Sequence, residues 1–137
     1  VRLRSATDKR GFQLHVLPAL LYVAFIFWLG SIHTTLTVPQ YWFPRDKVNH
    51  FGAFGLLTWL VLRALRFEFV KSNYGRLILA SIGVSSFIGA LLEVWQILFP
   101  YRSSEFADWV ADTIGAILAG LSCYVWVWWR RRHVATG

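Results

Sequence analysis

The chain has 137 residues, of which 56% are hydrophobic and only 15% charged, against about 25% charged in an average soluble domain. With a mean hydropathy of +0.48, this excludes a disordered segment and places the chain among membrane proteins. Fourteen Lys and Arg against seven Asp and Glu give a net charge of +7, and the single cysteine, Cys123, excludes an internal disulfide and a cysteine metal site. Residues 11–44 contain no formal charge. They predict a first helix over 12–33, long enough to cross a hydrocarbon core of ~30 Å at 1.5 Å per residue. Basic residues precede it, but the apolar run is long and Gly30, Ser31, Ile32 and His33 form no signal-peptide cleavage pattern, so a retained helix is expected. Pro18 stands near its start, where proline does least harm. The second helix is expected over 47–65, the third over 77–99, interrupted only by Glu93, and the fourth over 108–129 with Asp112 near its beginning. Pro44, then Ser72, Asn73 and Gly75, then Pro100 and Arg102 punctuate the runs. The runs are continuously apolar, without the alternation of barrel strands. The expected fold is therefore all-α: one domain, a polytopic bundle of four transmembrane helices.

Four spans place both termini on one side. That side collects eleven Lys and Arg, from the N-terminus, from Arg63, Arg66, Lys71 and Arg76, and from Arg130, Arg131 and Arg132. The other side has three: Arg45, Lys47 and Arg102. This bias predicts cytoplasmic termini and explains the basic balance without nucleic acid, which is not expected as a partner. Trp126, Trp128 and Trp129 fit an inner interfacial belt, and Tyr41, Trp42, Phe43, Tyr101 and Trp109 an outer one.

Ionisable side chains at membrane depth are costly and usually face the bundle interior. Here they gather in the outer third. His50 lies one turn inside helix two, behind Asp46 and Lys47. Glu93 is six residues before Phe99, or ~9 Å inside the third helix as drawn above. Asp108 and Asp112 open helix four. Glu93 and Gln96 share a helix face, as do Asp108 and Asp112. The acidic faces continue as small residues, Ser85 and Gly89 on helix three, Ala116 and Gly120 on helix four. Such stripes let membrane helices approach closely, so helices three and four are expected to pack along them. Gly52 and Gly55 would bring helix two and His50 alongside. Each residue also has a structural reading. Asp46 can cap helix two, worth ~1 kcal/mol, and Asp108 suits a helix N-terminus. Lys47 can snorkel to the interface. Arg102 can be a solvated loop residue or the counter-ion of Glu93, Gln96 can bridge helices, and Cys123 can be core filler. Glu93, His50 and Asp112 lie deepest, either as a site or as a polar lock. His15 and His33 fall at the ends of helix one. A His with two or three carboxylates could hold a divalent metal, but no spacing matches a known metal motif, and neither metal nor cofactor is expected.

These residues also carry a family likeness. Asp46, Lys47, Val48, Asn49 and His50, then Glu93, Val94, Trp95 and Gln96, the Arg102 loop, Asp108, and Asp112, Thr113, Ile114 and Gly115 with Gly120 resemble, in order, the signatures of the VanZ-like family. The resemblance spans residues 46–120. One position departs: the family usually has Asn where this chain has Asp112. Two close carboxylates in low dielectric seldom both ionise, so Asp112 is expected to be protonated and to donate as Asn does. The resemblance implies a small integral protein of the bacterial inner membrane, in a family whose namesake is associated with resistance to the glycopeptide teicoplanin.

Three functions remain open on the sequence. In the first, Asp46, Lys47, His50, Glu93, Gln96, Arg102, Asp108 and Asp112 line an outward-facing pocket for a lipid-linked or glycopeptide-type ligand beside the membrane lipids, with Lys47 and Arg102 meeting anionic groups. In the second, the pocket is an enzyme's, with Glu93 as general base, His50 as acid or base and Arg102 stabilising negative charge. In the third, the polar set only locks four helices into a scaffold.

Overall fold

The first helical stretch is broken where proline interrupts it. In the computed structural model, which describes residues 9–32, 45–101 and 104–134 (for 45, 46 and 134 the backbone only), helix α1 spans Lys9–His15 and α2 spans Leu17–Ser31. Pro18 has no N–H to continue the hydrogen-bond ladder, so the chain restarts at Val16, whose carbonyl accepts from Ala19 and Leu20 at 3.1 and 3.2 Å. The two segments follow on as one candidate span, Lys9–Ser31. The remaining helices are α3, Arg45–Glu68, α4, Tyr74–Gln96, and α5, Phe106–Val134. Each contains a stretch long and apolar enough to cross a bilayer, so four spans stand, and the described residues contain no strand.

The helix ends follow local chemistry. Asn73 caps α4 by accepting from the Gly75 N–H at 2.8 Å. At the other end α4 stops at Gln96, three residues before the expected Phe99. Leu98 and Phe99 bond back three residues to Trp95 and Gln96, a tightened last turn that leads into Pro100. Glu93 therefore lies one turn from the end of its helix, shallower than the sequence suggested. Helices α3 and α5 run longer than expected, and α5 carries Arg130, Arg131 and Arg132 within its helical length.

The core is narrow. Phe54, Leu57, Val61, Ile26 and Leu92 form one buried cluster, and Leu62, Leu77 and Ile78 a second. Many large apolar side chains face outward, among them Leu20, Leu21, Phe25 and Trp28 of α2, as a lipid-facing surface requires. Helices α3, α4 and α5 pack mutually, and α2 lies against α3 and α4.

Small residues set the closest approaches. At Gly115 of α5 an added Cβ would overlap the Phe51 carbonyl oxygen of α3. At Gly120 it would stand 2.7 Å from Ile82 Cδ1, and at Gly89 2.9 Å from Asp112 Oδ2. The expected α4–α5 stripes are thus the contact itself: Ser85, Gly89 and Glu93 are buried, as are Asp112, Ala116 and Gly120. Ser86 Oγ and Thr113 Oγ1 are hydrogen-bonded at 2.8 Å, and Trp109 Nε1 donates to the Ser86 carbonyl at 3.0 Å. A Cβ added at Gly55 would stand 3.5 Å from the Gly115 carbonyl oxygen, an ordinary contact, but one at exposed Gly52 would meet nothing within 4 Å, so Gly52 is not needed for the approach of α3.

Candidate functional site

The beginnings of α3 and α5 and the end of α4 meet at one end of the bundle. Helix α3 contributes Lys47 and His50, one turn apart, α4 contributes Glu93, and α5 contributes Asp108 and Asp112, also one turn apart. His50 Nδ1 is 2.9 Å from Asp112 Oδ1, and Asp112 is wholly buried. The missing side chain of Gly89 leaves the space that Asp112 occupies. Glu93, only 7% exposed, accepts at Oε2 from Ser104 Oγ at 2.9 Å and from the Glu105 N–H at 3.0 Å. Its other oxygen, Oε1, is buried and meets no hydrogen-bond donor among the described residues. One donor atom each from His50, Glu93 and Asp112 lie within 4.8 Å of one another.

Lys47 stands beside this trio and is already engaged. Its Nζ donates to Asp108 Oδ1 at 2.8 Å and to Glu105 Oε2 at 3.1 Å, with Asp108 almost fully buried. Among the described residues the charge around the site is therefore acidic: Glu93, Asp108, Asp112 and Glu105 gather beside Lys47 and the His50 imidazole. An anionic group approaching Lys47 would have to displace two carboxylates.

Of the eight residues singled out from the sequence, five come together here: Lys47, His50, Glu93, Asp108 and Asp112. Gln96 is buried but turns to α2, where its Nε2 would stand 3.3 Å from a Cβ at Gly30. Its place is the α2–α4 contact. The Asp46 side chain and Arg102 lie outside the described residues. The sequence reading passed over Ser104 and Glu105, which hold Glu93 and Lys47. Their signal was faint: Glu105 immediately precedes α5 and is three residues before Asp108, the spacing that puts two side chains on one helix face.

The opposite end of the bundle is basic and aromatic. Arg63 Nε donates to His15 Nδ1 at 3.2 Å, His15 stacks on Phe67 at 5.0 Å, and the Arg66 guanidinium lies 4.9 Å from the Tyr74 ring centre. A cavity of about 1140 Å³ opens there, lined among others by Trp59, Arg63, Arg66, Trp126, Arg130 and Arg131. Half-buried Cys123 also lines it. This cavity is remote from the carboxylates. His50 and Arg63 are thirteen residues apart on α3, roughly 20 Å along the axis.

A family model described as VanZ/LLP1 matches residues 5–128, most of the chain. No curated protein and no solved structure matches it.

Proposed function

The chain belongs to the VanZ/LLP1 family, and from that premise we propose that it is a multi-pass protein of the bacterial inner membrane whose acidic end is an outward-facing binding site. Its ligand is the polar part of a lipid-linked or glycopeptide-type molecule of the cell envelope. Through that ligand the protein contributes to teicoplanin resistance. The observation that carries this reading is the unfilled hydrogen-bonding capacity of Glu93. A polar lock between helices satisfies its buried atoms internally. Here Oε2 is held twice while the buried Oε1 meets no donor among the described residues. Such an atom costs about 1–3 kcal/mol when nothing pairs with it, and a bound group that pairs with it recovers that energy. The arginine-rich end supports the orientation, since cytoplasmic faces collect Lys and Arg.

The test separates a site from a lock. Glu93→Gln and His50→Gln are expressed in a teicoplanin-susceptible host and purified in detergent with a chelator, so that parent and variants are compared free of metal. Thermal midpoints within about 3 °C of the parent, with loss of the protective effect on teicoplanin susceptibility, are the expected pair of results. Variants that unfold far below the parent, or that protect as well as it does, would overturn the reading in favour of a scaffold.

A specific contact favours a second reading, an enzyme. Asp112 accepting from His50 Nδ1–H would fix the imidazole tautomer and leave Nε2 as a base, an arrangement that serves proton transfer in many unrelated enzymes. On that reading His50→Gln retains ligand binding and abolishes turnover, and retained turnover excludes it.

A further inference from the structure

We propose that His50, Glu93 and Asp112 bind one divalent transition-metal ion, joining α3, α4 and α5 at the acidic end of the bundle. This goes beyond the ligand reading and does not depend on it. The geometry comes first. One nitrogen and two carboxylate oxygens, each from a different helix, lie within 4.8 Å of one another. Ligand atoms at about 2.0–2.2 Å from a tetrahedral zinc ion are roughly 3.3–3.6 Å apart, so closure of the widest pair by about an ångström, within reach of side-chain rotation, completes the set.

The second observation is the state of Glu93. It is 93% buried, Oε2 is fixed by Ser104 Oγ and the Glu105 N–H, and Oε1 meets no donor among the described residues. Hydrogen bonds of this kind, on the oxygen away from the ion, are how proteins orient a metal-binding carboxylate. The third is charge. Two buried carboxylates, Glu93 and Asp112, stand together, and Lys47 is bonded to Asp108 and Glu105. A divalent ion offsets both and satisfies Oε1 at once. An imidazole with two carboxylates suits zinc or manganese better than calcium or magnesium, which prefer oxygen ligands alone. Three protein ligands leave at least one coordination position open for water or for an oxygen of a bound molecule. That would reconcile the acidic site with an anionic ligand, since the ion, not Lys47, would meet the anion.

The full chain, purified without a histidine tag and stripped with a chelator, is titrated with Zn²⁺ and with Mn²⁺ in detergent, with bound metal counted by elemental analysis. Expected are one equivalent of metal per chain, a higher thermal midpoint, and an affinity about 100-fold weaker in Glu93→Gln and in His50→Gln. His15→Gln, at the far end, leaves the affinity unchanged. Should the site variants fold poorly, Co²⁺ in the parent protein provides an independent readout: its visible spectrum reports a mixed nitrogen and oxygen ligand set. No metal uptake by the parent, uptake insensitive to Glu93→Gln, uptake lost with His15→Gln, or a Co²⁺ spectrum of oxygen ligands alone would each overturn the proposal.

Discussion

Asp112 concentrates the chemistry of single residues in this protein. It is wholly buried, it faces His50 at 2.9 Å, and Gly89 makes the room it occupies. Asn has the same shape and retains both a donor and an acceptor, so in metal-free protein Asp112→Asn is expected to leave the thermal midpoint in detergent unchanged or slightly raised. Asp112→Leu removes the polar group and the imidazole's contact at 2.9 Å, costing about 1–3 kcal/mol. Glu93→Gln should hurt function more than Asp112→Asn does if Glu93 is the charged member of the pair. Equal loss of teicoplanin protection in the two variants would mean that Asp112 also works as an anion, against the expectation that it stands in for Asn.

Between elements, close approach counts for more than polar contacts. Hydrogen bonds between membrane helices average only ~0.6 kcal/mol, so the Ser86–Thr113 pair and the Trp109 indole contribute modestly to the α4–α5 contact. The α3–α5 contact depends on Gly115, where any side chain would overlap the Phe51 carbonyl. Backbone cannot rotate aside as a side chain does, so Gly115→Ala must push the helices apart. A loss of about 1–3 kcal/mol is expected, the usual cost of overpacking, together with displacement of His50 from Asp112. Gly52→Ala is the matched control. It points into open space, and the helix preference of Ala over Gly, about 0.5–1 kcal/mol, should leave stability unchanged or improved. Unfolding midpoints of both variants in one detergent provide the comparison, and a larger loss for Gly52→Ala would reverse the assignment of the contact.

At the scale of the whole molecule, the bundle is electrically polarised. Carboxylates gather where α3 and α5 begin and α4 ends, and arginines where α3 ends and α5 finishes. On the orientation proposed above, the positive-inside rule predicts that the arginine end faces the cytoplasm. Alkaline phosphatase, active only outside the cytoplasm, should therefore be inactive when fused after Gly137. A fusion after the α3–α4 turn, at Lys71, should be inactive too. Activity at either position would invert the orientation and turn the acidic site toward the cytoplasm.

The all-helical bundle, its four spans and the family are legible in the sequence because they rest on properties that every residue carries locally. Apolar length decides what can cross a bilayer, and the order of Asp46, His50, Glu93, Asp108 and Asp112 carries the likeness. The helical spacing of Ser85, Gly89 and Glu93 against Asp112, Ala116 and Gly120 even names the α4–α5 contact, since a helix face is a local property. Tertiary structure alone decided the rest. Which glycine admits a neighbouring helix depends on that neighbour's position, so Gly115 mattered where Gly52 did not. Lys47 turned to Asp108 and Glu105 because the chain folds Glu105 back over the end of α4, a contact between residues 58 apart. That His50, Glu93 and Asp112 gather at one end was expected from their shared depth, but the His50–Asp112 contact at 2.9 Å and the grip of Ser104 and Glu105 on Glu93 were decided only when three helices packed there, since no local spacing fixes a contact between helices.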